Sequence, residues 1–566
     1  MTVKRFHPTN FLYLMHRILT ILFFLPAALS AQSWQWAKTG SLSHTTESST
    51  ANSVVTDATG NVYVAGSFAS QSITFGSITL NNAGTSGQDF FIVKYSPSGS
   101  VAWAKSFGDQ QDDLAYGIAA DQQSNIYVTG VYDSPFLTIG NTTFSNAGGQ
   151  DMFVLKLDKN GNVIWARNIG GSGNDISNAI CIDPHGNPII TGEFNSPVLP
   201  FFSGNLVDTS NQTQPFVAKF DSSGLARWAR TATGTGGSNG NFGSAVSTDS
   251  SSNILVGGGF AFSSITFGTQ TLLNSGVTNI FVTKYDSSGN VSWAVSAGGT
   301  NEDAATGIGA DPGGNVYICG SFNSAKIAFG TTILPNQGFS DVFVAKYSAT
   351  GDPVWAYGTG GDAIEEARNL SVDPNGFVYV CGSFGSSSIS FGSSQLINNG
   401  NLNIFLAELS PWGSPLWAKA SGGSASDYAL SAWADASGNA YIAGYFNSSS
   451  LSFGTTSLVA TGISNMLVAK ITGITGIQTA GTLEETIRVY PNPSSDRICF
   501  RFDTEQPLPV VISLGDAYGR EVRNITAYPG LIAELPVSDL PAGIYFYTVK
   551  SVSHQERGRV VVQPVH

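Results

Sequence analysis

The chain has 566 residues, 42% hydrophobic and only 11% charged, with a formal net charge of −13. That acidity opposes binding to a phosphate backbone, which needs clustered Lys and Arg, and sets nucleic acid and anionic lipid aside as partners. So much apolar content excludes a disordered chain. The 65 Gly and four Cys describe turn-rich β structure rather than a disulfide scaffold.

Lys4, Arg5 and Arg17 precede an apolar stretch from Ile18 to Leu25, then Pro26 and the small-residue run Ala27 to Ala31. A basic start, a short apolar core and a small-residue exit describe a cleavable secretion signal over 1–31. The apolar core falls short of the ~20 residues that span a bilayer. Three basic residues and no acidic one lie in 1–31, so cleavage takes the charge from −13 to −16. No later run is apolar enough to cross a membrane, so no transmembrane segment is expected in the mature chain.

From there the sequence repeats. Asp57, Asp121, Asp183, Asp249, Asp311, Asp373 and Asp435 recur at intervals of 64, 62, 66, 62, 62 and 62 residues. Four residues after each Asp stands Asn, except at Phe377; nine after it stands Gly, from Gly66 to Gly444; two further on stands an aromatic residue. Each period predicts four strands. A small-residue strand leads into an Asp-x-x-Gly turn, where Asp caps its own backbone and Gly accepts positive φ. An alternating strand such as "NVYICGSF" follows, then one such as "DVFVAKY", a second Gly turn, and a strand carrying Trp-Ala. An insertion of about twenty residues between the second and third strands predicts a small hairpin, which lengthens the period beyond the ~40–50 of common propeller repeats.

The Trp-Ala strands centre on Trp36, Trp103, Trp165, Trp228, Trp293, Trp355 and Trp417. Trp36 comes before the first Asp phrase, and none follows the seventh. The last unit should therefore lack its outermost strand, and "SWQWAKTG" should supply it. Four antiparallel strands repeated seven times predict an all-β, seven-bladed β-propeller closed by an N-terminal strand. The phrases resemble the SBBP-type propeller repeat family over residues 32–471. That resemblance implies a fold and no single reaction.

Ten residues after the Trp stand Asp113, Asp175, Asp303, Glu365 and Asp427, while Thr46 and Ser238 break the series. Two readings stand for these acids. They rim one mouth of the channel as a site for a cation, Ca²⁺ above all, or a polyhydroxyl ligand; or each caps a local turn. The twenty-residue insertions share that face, so a glycan or protein ligand is expected there. The Asp-x-x-Gly turns lack the ligand ladder of a calcium loop. No Cys or His pair has zinc spacing, Cys319 and Cys381 read as buried core residues, and no cofactor is expected. His is too sparse for a Ser-His-Asp site. A glycosidase needs only two carboxylates, so an extracellular carbohydrate-active enzyme using the acidic rim is the alternative to a binding scaffold.

Residues 472–486 read as a Gly/Thr-rich linker, and 487–566 as a small Ig-like β-sandwich of alternating strands. Tyr490, Pro491, Asn492 and Pro493 open it, Leu514, Asp516, Gly519 and Arg520 form its middle, and "LPAGIY", with Gly543 and Tyr545, its late phrase. In that order these phrases resemble the C-terminal sorting domain of the type IX secretion system of Bacteroidetes; the final "QPVH" departs from the basic ending often seen. The resemblance implies recognition of 487–566 by the outer-membrane translocon. It implies passage through the periplasm to the cell surface or medium.

Overall fold

The computed structural model describes residues 32–472 apart from 85, 202, 209, 211, 238 and 239, and residues 487–563 apart from 491–493, 503–509, 517–519, 528–531 and 551–554. The predicted signal and most of the linker lie outside the described residues. Two compact units emerge, Met1–Thr475 and Gly476–His566. Among the described residues every regular element is a strand.

In the first unit each period folds into one four-stranded antiparallel sheet, numbered here 1 to 7. Their first strands are Ser49–Thr56, Asp113–Ala120, Asp175–Ile182, Phe242–Thr248, Asp303–Ala310, Glu365–Val372 and Asp427–Ala434. Sheet 5 is representative: Asp303–Ala310, Val316–Phe322, Asp341–Tyr347 and Pro353–Thr359 pair in chain order. Pro353 opens the edge strand, where the missing N–H breaks no ladder. Between its second and third strands, Lys326–Phe329 and Thr332–Pro335 form the hairpin of the insertion.

The Asp turn is a hydrogen-bonded knot. Asp311 Oδ1 accepts from the Asn315 N–H at 3.0 Å, and Oδ2 accepts from Asn315 Nδ2 at 2.8 Å and Tyr317 Oη at 2.9 Å. Gly314 carries the positive φ of 77° that the turn demands. Lys346 of the third strand adds a 3.4 Å ion pair to the same carboxylate.

The recurring Gly of the second strand has a different cause. Each first strand contains a β-bulge, such as the register shift between Ala305 and Gly307 opposite Gly320. The bulge thrusts a carbonyl onto the glycine: a Cβ on Gly320 would lie 2.0 Å from the Ala304 oxygen, and one on Gly192 only 1.9 Å from that of Ile176. No side chain fits there. The bulge in turn aims one side chain per sheet away from the ladder.

Apolar side chains fill the space between neighbouring sheets. One cluster joins Leu255 and Val282 of sheet 4 to Ile308, Ile318 and Phe343 of sheet 5. Another joins Tyr441 and Val468 of sheet 7 to Val54, Val64 and Phe91 of sheet 1, with Trp36 between them. Sheet 7 thus packs against sheet 1 as sheet 4 packs against sheet 5. The seam is sealed by hydrogen bonds between strands from opposite ends of the array: Trp34–Lys38 pairs antiparallel with Asn465–Ile471, with Trp36 opposite Lys470 and Lys38 opposite Val468. Six of the seven Trp side chains also reach into the next sheet. Indole N–H groups of Trp36, Trp103, Trp165, Trp228, Trp293 and Trp355 donate to the turn carbonyls of Pro97, Lys159, Ser222, Ser287, Ala349 and Pro411, at 3.0–3.1 Å.

The second unit has one sheet of Ile487–Tyr490, Arg497–Phe502 and Ile532–Pro536, and another of Glu521–Ala527, Val510–Gly515, Gly543–Lys550 and Gln555–Val562. Ile498, Phe500 and Leu535 of the one share a core with Ile512, Leu514 and Val549 of the other.

Two outcomes follow. Gly320→Ala destabilises the ring by on the order of 4 kcal/mol or prevents its folding, while Gly257→Ala, whose added Cβ meets nothing nearer than 3.6 Å, stays within ~1 kcal/mol; urea unfolding of the two variants measures the contrast. Deleting residues 32–39 lowers the melting temperature and promotes aggregation, because it uncovers the Asn465–Ile471 edge; light scattering during a thermal ramp reads both.

Candidate functional site

The five acids of the sequence pattern lie at the starts of their first strands, each 0–1% exposed. Asp303 shows what they do. Its Oδ2 accepts from the Gly299 N–H at 2.7 Å and from Ser324 Oγ at 2.6 Å, and its Oδ1 from the Ser324 N–H at 3.1 Å. Asp113 does the same with Asp109 and Ser134, Asp175 with Gly171 and Ser196, and Asp427 with Gly423 and Ser448. Glu365 accepts from the N–H groups of Gly361 and Ser386. Each acid pins its own crossover loop to its own sheet, as the turn-capping reading describes. Among the described residues no three His, Cys, Asp or Glu side chains converge as a metal site.

The two sheets without an acid at that spacing fill the role differently. Ser238 lies outside the described residues, and in sheet 4 Asn241 takes the capping place three positions later, accepting from the N–H groups of Ala261 and Phe262 at 2.8 and 3.1 Å. In sheet 1 Glu47 receives Ser70 Oγ at 2.5 Å. The readable signal for this hook was the Ser two residues after the aromatic, present as Ser70, Ser134, Ser196, Ser324, Ser386 and Ser448. Where that Ser becomes Phe262, the acid becomes Asn241.

A second row of buried polar side chains opens the third strands: Asp89, Asp151, Gln214, Asn279, Asp341, Asn403 and Asn465, at 0–4% exposure. Backbone bonds bring the two rows together across sheet boundaries, with the Asp113 N–H on Gln88 O at 2.7 Å and the Glu365 N–H on Ser340 O at 2.9 Å. One oxygen of each of the first six has no hydrogen-bond partner, whereas Asn465 Oδ1 accepts from the N–H groups of Thr461 and Gly462. In Asp89, Asp151 and Asp341 that oxygen lies over Gly108, Gly170 and Gly360, where only a missing Cβ leaves room. Burial pushes the carboxyls of Asp89, Asp151 and Asp341 up to about 6 and that of Asp113 to about 7, the last also raised by the nearby charge of Asp89.

The first strands line a cavity of about 950 Å³. The bulge residues Asn52, Tyr116, Asn178, Ser244, Thr306, Arg368 and Leu430 all face it, and the Asp turns, among them Asp57, Asp249, Asp311, Asp373 and Asp435, edge it. Four bulge side chains staple adjacent sheets: Asn52 donates to Ala115 O at 2.9 Å, Asn178 to Gly243 O at 3.1 Å, Ser244 to Ala305 O, and Thr306 to Ala367 O at 2.8 Å. Trp433 Nε1 donates to Thr56 Oγ1 at 2.9 Å across the seam. Side-chain spacing alone does not place these residues on the cavity, because it does not reveal the bulge. Cys319 and Cys381 are free and fully buried.

In the second unit Asp516 accepts the Arg520 N–H at 3.0 Å and pairs with its guanidinium at 2.7 Å. Tyr545 is buried and its hydroxyl donates to Pro541 O at 2.8 Å. Tyr490 ends the first strand of this unit, and Gly543 begins Gly543–Lys550. Pro491, Asn492, Pro493 and Gly519 lie outside the described residues.

Repeated antiparallel sheets and a β tail carrying these phrases define an exported repeat protein, and comparison with known families agrees. Residues 488–563 match the secretion system C-terminal sorting domain, and residues 102–136 match the β-propeller repeat. The chain is 24% identical over 391 residues to an uncharacterized WD repeat-containing protein of Acanthamoeba polyphaga mimivirus, covering 56% of this chain and 28% of that protein. It is 31% identical over 110 residues to the regulatory protein FlaEY of Caulobacter vibrioides, covering 19% of this chain and 12% of that one. The matches thus span under a third of either relative. The crystal structure of Sqt1 from Chaetomium thermophilum aligns with a TM-score of 0.34 at 8% identity, over 77% of this chain and 100% of that one. The chain carries SBBP-type β-propeller repeats and a type IX sorting domain, and the latter directs export to the cell surface or extracellular space.

The buried carboxyl pairs set a pH dependence. Their folded pKa values lie above the ordinary carboxylate value, so between about pH 4 and 7 the folded ring holds protons that the unfolded chain releases, and stability falls as pH rises through that window. Asp57, Asp183 and Asp249 act oppositely: burial opposes their ionisation, but hydrogen bonds led by Asn61, Asn187 and Asn253 outweigh it and hold them below the ordinary value. Their contribution is lost only in stronger acid. The triple variant Asp89→Asn, Asp151→Asn, Asp341→Asn, which copies Asn279 and Asn403, gains roughly 1–2 kcal/mol per site at pH 8 and little at pH 4. Melting temperatures across pH 4–8 check the flattened slope.

Proposed function

We propose that residues 32–471 form a seven-bladed β-propeller, closed by its N-terminal strand, that acts outside the cell as a binding scaffold. In this reading 1–31 is a removed signal, 472–486 a linker, and 487–566 an Ig-like sandwich read by the type IX translocon. The observation that carries it is the pairing of an export domain with a ring whose first strands surround a cavity of about 950 Å³. The five capping acids are already engaged by their own loops, so the scaffold reading rests on the cavity and not on a charged rim.

Fusion of 487–566 to a periplasmic reporter carries the reporter to the cell surface, as protease accessibility on intact cells shows; a reporter that stays inside counts against the address. For the ring, the purified mature chain is retained on surface polysaccharide or surface protein without turning it over. Steady hydrolysis of a glycoside panel by that chain would replace the scaffold with a carbohydrate-active enzyme.

A further inference from the structure

The wall of the cavity is lopsided. On the side of sheets 3, 4 and 5 the bulge residues Asn178, Ser244 and Thr306 are short, and each gives its polar group to the neighbouring strand. Sheets 6, 7, 1 and 2 pack consecutively, and on their side the cavity meets Arg368, Leu430, Asn52 and Tyr116. Trp433 of sheet 7 joins them, at a place that Cys181, Ser247 and Gly309 hold in sheets 3, 4 and 5. All five of these larger residues are half-buried.

Three of them have no duty at the junctions between sheets, because other residues make those bonds. Between sheets 6 and 7 the side chains of Asn369 and Ser371 accept from the N–H groups of Ala432 and Ala434, at 3.2 and 3.0 Å. Between sheets 7 and 1 the Ser431 hydroxyl accepts from the Val54 N–H at 3.2 Å. Between sheets 2 and 3 the Thr129 hydroxyl donates to that of Ser177 at 2.7 Å. In each case the bond has moved off the bulge residue, and in those three sheets the bulge residue is Arg368, Leu430 or Tyr116. Trp433 serves twice, since its N–H holds Thr56 while its ring lines the cavity.

Fully burying a Leu side chain is worth about 1.5–3 kcal/mol, and Leu430 forgoes part of that by facing the cavity. With Trp433 and Tyr116 it gives this side an apolar surface, as small-ligand sites usually have. Hydrogen-bond donors flank that surface. Burial first, and then the charges of Asp133, Asp112 and Glu193, raise the Tyr116 hydroxyl and keep it a neutral donor. The Arg368 guanidinium is bonded to Glu366 at 2.5 Å, so the pair adds no net charge but keeps further N–H groups. The matching ligand is uncharged, with a bulky apolar group between two acceptors. A peptide segment has that form, a side chain between two carbonyls. A saccharide lacks the bulky apolar group, and a phosphate is opposed by the net charge of −13.

We propose that Tyr116, Arg368, Leu430 and Trp433 form a recognition site for an internal, uncharged peptide segment carrying a bulky apolar side chain. It rests on the scaffold reading above and names the ligand class. The test is calorimetric titration of the mature chain with two blocked pentapeptides, acetyl-Gly-Ser-Phe-Ser-Gly-amide and its counterpart with Asp at the centre. The first binds with a Kd of about 1 mM or tighter, and the second at least tenfold more weakly. Leu430→Ser and Arg368→Ala each weaken the first at least tenfold, and neither lowers the melting temperature, because the junction bonds lie elsewhere. Thr306→Val does the reverse: it breaks a junction bond on the opposite side, lowers the melting temperature and leaves the affinity unchanged. A Phe peptide that does not bind, or that binds both variants as it binds the parent, overturns the site. So does a melting temperature that falls in those two variants as far as in Thr306→Val. A chain that fails this test yet is retained on surface protein or polysaccharide loses this site and keeps the scaffold reading.

Discussion

The pairing of Trp34–Lys38 with Asn465–Ile471 is the constraint on which the rest of the molecule depends. Each sheet is apolar on both faces and finds its neighbours only in a ring; an open arc would leave two large faces wet. Five residues from one end of the repeat array complete a sheet begun at the other, so the ring shuts with hydrogen bonds rather than packing alone. Burying a large apolar side chain contributes about 1.5–3 kcal/mol, and Trp36 is buried between Tyr95 and Tyr441 at the seam. Against a typical net stability of roughly 5–15 kcal/mol, one strand is decisive.

Closure also fixes what the channel can be. The bulge in every first strand turns one side chain inwards, and the glycine opposite is the condition for the bulge. A residue type that recurs without exception in the sequence thus marks the place where variable residues face the cavity. Four of those side chains knit neighbouring sheets together. In sheets 6 and 7 the inward bulge residues are Arg368 and Leu430.

Much of the architecture was readable because a repeat states its own rules seven times. The Asp, Asn and Gly of the turn, the displaced Trp-Ala strand and the hairpin insertion all have local or counting causes. The site was less readable. Asp113 and its counterparts were visible as a series, but spacing does not distinguish an exposed rim from a buried hook. The discriminating residue, the Ser after each aromatic, sits about twenty residues downstream in an insertion where Ser abounds. The second row, Asp89 and its equivalents, was hidden for another reason: three positions hold Asp, three Asn and one Gln, and only their shared burial over a glycine or loop reveals one role.

The exceptions in the repeat cluster where the chain crosses its own seam. Six Trp side chains each find a turn carbonyl in the next sheet, but the sheet after Trp417 has no turn between its third and fourth strands, because its fourth strand comes from the other end of the array. The Trp417 indole N–H turns instead to the carboxylate of Glu408. That position is Lys in the other six sheets, from Lys94 to Lys470. The same sheet also breaks the Asn rule, with Phe377 where the turn elsewhere has Asn. With the turn's Asn gone, Asn375 Nδ2 reaches the Asp373 carboxylate at 3.5 Å in its place. A departure that looks like drift in one repeat is thus a compensation for circular closure: the missing acceptor had to be supplied from within sheet 6, and an acidic side chain at the Lys position supplies it.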